Sequence, residues 1–187
     1  MGKLTFVLGG ARSGKSSYAQ RVGEKCRGQV VYLATAQALD DEMQGRISAH
    51  QKERSVDWVT LEAPKAIAQT WRSAGQPGDL VLLDCLTLLV SNLLMDRVVD
   101  DAILDENQAA ASVHNEIDTL LAAVKESQAE WVVVSNEVGL GLVPPYPMGR
   151  LYRDLLGWTN QRLAAEADEV IWMIAGIPLP IQAFRER

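Results

Sequence analysis

Short apolar runs alternate along this chain with longer stretches in which apolar residues recur every third or fourth position. The runs predict strands over Leu4–Leu8, Gln29–Ala34, Leu80–Cys85, Trp131–Ser135 and Val170–Ala175. The amphipathic stretches predict helices at about Lys15–Cys26, Asp41–Arg54, Pro64–Ser73, Asp101–Ser127 and Met148–Ala167. Val56–Leu61 is a candidate edge strand, and Asp96–Asp105, acidic and weakly patterned, is expected to be an exposed excursion. Strand and helix in alternation build βαβ units, so an α/β fold with a mainly parallel central sheet is expected.

Breakers fall where this reading needs loops, at Gly75-Gln76-Pro77-Gly78 and from Gly139 to Pro147, and neither is long enough to link two domains. With 187 residues, one domain spanning 1–187 is the expectation. Hydrophobic residues at 48% and charged residues at 22% are ordinary globular usage. The 18 basic and 24 acidic side chains leave a net charge of −6, which disfavours a general nucleic-acid binder and confines any phosphate chemistry to a local cluster of donors. Cys26 and Cys85 stand in unrelated contexts, so no disulfide framework or CxxC motif is expected. No secretory signal follows Met1-Gly2-Lys3, and no apolar run reaches the ~18 residues of a membrane span, which together predict a soluble cytoplasmic protein.

The sharpest local signal is Gly9-Gly10-Ala11-Arg12-Ser13-Gly14-Lys15-Ser16, which fits G-x-x-x-x-G-K-S/T between a predicted strand and a predicted helix. Glycines let the backbone close on phosphate oxygens, the helix N-terminus and free N–H groups supply donors, Lys15 reaches the β and γ phosphates, and Ser16 is a candidate Mg²⁺ ligand. The fold class sharpens accordingly to a three-layer P-loop NTPase-like domain. Asp84, ending the run Leu80-Val81-Leu82-Leu83, is the candidate acid for Mg²⁺; the alternative is a capping role for the helix beginning near Cys85 to Thr87. The cradle alone does not separate kinase, GTPase, ATPase and nucleotidyltransferase. No N-K-x-D signature is present, and Asp154-Leu155-Leu156-Gly157 falls inside a predicted helix, so a regulatory GTPase is disfavoured.

Two histidines remain to be weighed. On a helix, Arg46, His50 and Arg54 share one face, and flanking guanidinium groups favour a neutral imidazole near donors that suit a phosphate. His50 is therefore a candidate nucleophile towards phosphorus; a solvated helix face is the alternative. His114 has no basic setting and is assigned a structural or surface role. Glu62 reads either as a loop carboxylate meeting a ribose or base edge or as a favourable charge near a helix start. Trp71, Tyr146 and Trp158 could each stack on a large ring, with core packing or an oligomer contact as the alternative.

Taken in order, the P-loop, Tyr32-Leu33-Ala34-Thr35-Ala36, Asp40-Asp41-Glu42-Met43 leading to Arg46-Ile47 and His50, Trp58, Glu62, Asn136-Glu137-Val138-Gly139 and Asn160-Gln161-Arg162-Leu163-Ala164 form a set much more specific than a P-loop alone. The chain resembles, over nearly its whole length, the bifunctional adenosylcobinamide kinase/adenosylcobinamide-phosphate guanylyltransferases of cobalamin biosynthesis. The resemblance implies phosphorylation of a corrinoid alcohol with ATP or GTP, then GMP transfer from GTP through a covalent histidine–GMP intermediate, with Mg²⁺ as cofactor and a homotrimeric assembly. It places His50 at the nucleophile position; where relatives pair two histidines, this chain has Ala49-His50. It places nucleotide contacts at Gly9, Gly10, Ala11, Arg12, Ser13, Gly14, Lys15, Ser16, Ala34, Thr35, Ala36, Gln51, Lys52, Glu53, Arg54, Glu62 and Asp84. Asp84 and Glu137 are the candidates for the base that accepts the alcohol proton. Two other functions compete at this point: a small-molecule kinase in which His50 only binds phosphate, and a nucleotide-dependent regulatory protein.

Overall fold

The structure, a computed structural model, describes residues 2–38, 44–45, 54–74, 78–99, 102–103 and 105–184. Its centre is a seven-stranded sheet of β1 (Leu4–Gly9), β2 (Val30–Ala34), β3 (Val59–Glu62), β4 (Leu80–Asp84), β7 (Glu130–Asn136), β8 (Glu169–Ile174) and β9 (Ile177–Pro180). The spatial order is β3-β2-β4-β7-β1-β8-β9, all parallel except β9, which runs antiparallel to β8. The expected α/β class with a mainly parallel sheet is what the chain adopts. Residues 98–99 and 102–103 pair as a small separate hairpin, β5 and β6, where an exposed excursion was expected.

Helices α1 (Lys15–Lys25), α2 (Ile67–Ser73), α3 (Leu86–Met95), α4 (Glu106–Glu126) and α5 (Pro147–Glu166) complete the described elements, with a 3₁₀ turn at Gln182–Phe184. The sheet is buried on both faces. On one side Phe6, Leu33, Leu83 and Trp131 pack with the apolar stripes of α2, α3, α4 and α5. On the other, Val7, Tyr32, Leu82 and Val134 pack around Ala19 of α1. Trp71 meets Trp131 edge to face at 5.1 Å inside the first of these clusters, and the His114 ring lies 3.9 Å from that of Trp158. These two tryptophans serve packing, as the alternative reading had it; Tyr146 stays exposed.

The predicted strands and long helices fall within a few residues of the observed ones, and the edge strand begins at Val59 instead of Val56. The helix expected to begin near Cys85 to Thr87 is α3, whose extent the pattern did not give, and strand β9 was not expected. Helix α3 is apolar almost all round, because it is wedged between the sheet and its neighbouring helices and has no polar face to give a period. Strand β9 carries two prolines, which a sheet accepts only at an edge. The predicted helix Asp41–Arg54 lies mostly outside the described residues, which include only 44–45, both helical, and Arg54. Arg54 itself is not helical but stands in a bend, and the turn after it is closed by Ser55 O accepting from the Trp58 amide at 3.3 Å. That turn lays Trp58 against α1 so closely that a Cβ on Gly23 would stand 2.5 Å from its ring.

Candidate active site

The C-terminal ends of β1, β2, β4 and β7 open on one cavity of about 1060 Å³. In open parallel sheets this is where ligands bind. The Gly10–Gly14 segment leaves β1 and turns into α1. Gly14 makes that turn at φ 95°, in the left-handed region, and a Cβ there would stand 3.2 Å from Gly176 Cα. The reason for the crowding is a clamp: the Gly176 amide, in the turn between β8 and β9, donates to Ser13 O at 2.9 Å. Helix α1 starts at Lys15 with its first turn, Lys15 to Ser17, lining the cavity and no side chain capping its amide groups.

Lys15 is buried, with its Nζ donating to Gly10 O at 2.6 Å and lying 3.5 Å from Ser13 Oγ. Burial lowers the pKa of its ammonium, and the negative forms of Cys85 and Asp84 oppose that fall. The lysine thus folds back on its own loop. Arg12, Ser13 and Ser16 line the same wall.

Asp84 does not cap α3. Cys85 stands at that helix's N-cap with no side-chain bond, and Asp84 Oδ2 instead accepts from Tyr32 Oη at 2.9 Å. Burial first, and then the Asp84 charge, raises the Tyr32 phenol well above its ordinary pKa, so it remains a donor to the carboxylate. The Arg54 guanidinium covers the Tyr32 ring at 3.5 Å from its centroid. Asp84 and Arg54 are both cavity-lining, as are Ala34, Ala36 and the exposed Glu62 at the end of β3. The acidic group at the α2 start is not Glu62 but Glu116, which accepts from the amides of Ala66 and Ile67 at 3.2 and 2.8 Å.

Several expected contacts take other roles or cannot be placed. Thr35 is fully buried and faces away from the cavity: its Oγ1 donates to Cys85 O at 2.9 Å and accepts from Cys85 N at 2.7 Å, tying the ends of β2 and β4 together. Gly9 and Gly10 shape the loop without lining the cavity. His50, Gln51, Lys52 and Glu53, with Arg46, lie outside the described residues. Gln44 and Arg54, the described residues on either side of them in sequence, both line the cavity. Glu137 does not; it accepts from the Gly139 amide of its own loop, which leaves Asp84 as the cavity-lining member of the two candidate bases. Tyr32, Thr87 and Asn136 line the cavity without having been assigned a site role, although Tyr32 and Asn136 stood in the recognised segments.

Cys85 also lines the cavity. Burial pushes its thiol up to about 11, with the Asp84 charge adding to the rise. At neutral pH it is protonated and unreactive. Its alkylation by iodoacetamide is expected to climb ~tenfold per pH unit until pH approaches that value, and a bound GTP analogue should slow it. Peptide mass spectrometry checks this; a rate already level below the ordinary thiol range, or one indifferent to nucleotide, would contradict the placement.

Ser16 and Asp84 are oxygen donors of the kind Mg²⁺ takes, and two protein ligands completed by phosphate and water are its usual share in such sites. Only one Asp84 oxygen is engaged by Tyr32 among the described residues, so the other is available. The residues present fit the ion. Among the described residues no cluster of three or more His, Cys, Asp or Glu could hold a metal. Nor is any helix among them long and apolar enough to cross a membrane.

Residues 5–181 match the family described as cobinamide kinase / cobinamide phosphate guanyltransferase. The bifunctional adenosylcobalamin biosynthesis protein CobP of Pseudomonas aeruginosa is 41% identical over 177 residues, covering 95% of this chain and 96% of its own. CobU proteins of Escherichia coli and Salmonella typhimurium, described in the same words, are each 40% identical over 182 residues, 96% of this chain and 99% of theirs. Among solved structures, the RadB recombinase aligns with 91% of this chain and 73% of its own at 14% identity and a TM-score of 0.49.

Proposed function

The chain belongs to the cobinamide kinase / cobinamide phosphate guanyltransferase family, and from that premise we propose that it carries out both reactions of adenosylcobalamin biosynthesis at one nucleotide cradle. It phosphorylates the alcohol of adenosylcobinamide with ATP or GTP, then transfers GMP from GTP to the new phosphate, giving adenosylcobinamide-GDP and pyrophosphate. The observation that carries this reading is the convergence of Lys15, Asp84 and Glu62 on the cavity that Gln44 and Arg54 also border. Three residues lie between His50 and Arg54, so the four steps of chain reach about 14 Å at full extension.

For the kinase step, the loop amides and Lys15 hold the β and γ phosphates, and the loose transition state asks chiefly for alignment and charge neutralisation. For guanylyl transfer, a neutral His50 nitrogen attacks the α-phosphorus of GTP; the bond to the β-phosphate oxygen breaks and pyrophosphate leaves, its charge met by Lys15 and the loop. A phosphate oxygen of the corrinoid substrate then attacks the same phosphorus, the P–N bond breaks and His50 is restored. Ser16 and Asp84 would hold Mg²⁺, which when bound neutralises phosphate charge. Arg54 faces the phosphates and Glu62 the ribose or base edge. A homotrimer belongs to the same reading and is checked by mass in solution.

Purified chain given cobinamide tests the proposal with two labels. Gamma-labelled nucleotide should pass its label to the corrinoid, and alpha-labelled GTP should yield labelled cobinamide-GDP. Hydrolysis to free phosphate with an unmodified corrinoid would point instead to a nucleotide-dependent regulatory protein.

A further inference from the structure

Strand β7 lies between β1, which leads into the P-loop, and β4, which ends in Asp84. Its last residue, Asn136, is level with Gly9, while Val134, two residues earlier, is level with Asp84. Neighbouring strands stand ~4.8 Å apart, so Asn136 emerges one strand away from each of the two groups that mark the terminal-phosphate end of the cradle. Side chains alternate along a strand, which sends Asn136 to the same face as Val134. That is the α1 face, and both residues line the cavity. Ser135 faces the other way and donates to Asn160 Oδ1 of α5 at 2.7 Å.

The backbone at this point is held from three directions. The Asn136 amide donates to Thr87 Oγ1 at 2.9 Å, its carbonyl accepts from Asn160 Nδ2 at 3.0 Å, and the next amide, Glu137, donates to Gly9 O at 3.0 Å. Asn160 is buried and spends both ends of its carboxamide on this strand end. By contrast, the Asn136 carboxamide is engaged by no hydrogen bond among the described residues. A buried asparagine on a neighbouring helix thus fixes the main chain of a second asparagine whose side chain is left over for the cavity. Such a pre-set donor is the kind that stabilises charge at a transferring group without reorganising.

We propose that Asn136 is a catalytic residue of the phosphoryl-transfer step, its Nδ2 donating to an oxygen of the γ-phosphoryl group, with Asn160 and Thr87 as positioning residues; this rests on the nucleotide-cradle reading above. In that step the substrate alcohol oxygen forms its bond to the γ-phosphorus, the bond from that phosphorus to the β-phosphate oxygen breaks, nucleoside diphosphate leaves and the alcohol proton passes to the Asp84 carboxylate, the cavity-lining candidate base. Asn136 exchanges no proton. The charge it meets is on the equatorial oxygens of the group in flight, so its contribution appears in turnover and not in nucleotide affinity.

The test uses the full chain as wild type, Asn136→Ala, Asn136→Asp, Asn160→Ala and Lys15→Ala, each checked for folding by circular dichroism. Three readouts are followed: γ-label transfer to cobinamide, GMP transfer to supplied cobinamide phosphate, and binding of a non-hydrolysable GTP analogue. Asn136→Ala should lower kcat of the kinase step by ~10²-fold, as loss of one transition-state donor does, while analogue binding stays within about threefold and GMP transfer falls less than tenfold. Asn136→Asp, isosteric but without the donor, should lose as much; Asn160→Ala should lower the same kcat to a smaller degree with the nucleotide KM unmoved. Wild-type kinase turnover in Asn136→Ala, equal loss of both reactions, or an aspartate variant that keeps its rate would each overturn the proposal. Analogue binding that survives Lys15→Ala would instead overturn the cradle on which it rests.

Discussion

Replacing Lys15 by alanine is expected to cripple both reactions together, lowering each by roughly 10²–10³-fold, the scale of removing a pre-organised donor from an anionic transition state. The ammonium is buried and held on Gly10 O at 2.6 Å, so it is already placed where the loop wraps. A nucleotide need only offer an oxygen to take that carbonyl's place. On the proposed reading the same β and γ phosphates are held whether the γ-phosphorus or the α-phosphorus reacts, so one substitution should strike both activities. Initial rates of γ-label transfer and of GMP transfer, measured on the same preparation, check this. Full kinase turnover in the alanine variant would remove the P-loop from the mechanism.

The second large effect should separate the two reactions. In His50→Ala the protein label from alpha-labelled GTP should vanish and GMP transfer should fall by roughly 10³-fold or more, the scale of losing a covalent nucleophile. Phosphoryl transfer to cobinamide should stay within about threefold, because a direct displacement at the γ-phosphorus does not pass through His50. In the wild type the label should be labile to acid and stable to alkali, as a phosphoramidate is. Loss of the kinase step alongside the transferase step would make His50 a phosphate-binding residue of a simple kinase.

What could be read from the sequence, and what could not, divides on range. The P-loop, the strand ending in Asp84 and the long helices were legible because each is a local pattern: a run, a period, a glycine or a cap within a dozen residues. Asp84, which lines the cavity, was singled out, yet its partner was not, since Tyr32 lies 52 positions away and meets it only because β2 and β4 are neighbours in the sheet. Thr35 is the same lesson with the opposite outcome. It looked like a nucleotide contact beside Ala34 and Ala36, and it is a bolt between two strand ends whose other half, Cys85, is 50 positions on. Arg54 was read as part of a helix face; it stands in a bend instead, and its guanidinium lies on Tyr32 at the cavity. Asn136 and Asn160 themselves had no assigned task until the fold showed one asparagine holding the other's backbone.

The claim at the centre of this account is that one cradle serves two reactions. It is tested most directly by titrating the wild-type chain with a non-hydrolysable GTP analogue in a calorimeter and then using that analogue to inhibit each reaction. One analogue per chain is predicted, with equal inhibition constants against phosphoryl transfer and GMP transfer and no binding in Lys15→Ala. Two independent sites per chain, or constants that differ tenfold between the reactions, would contradict it.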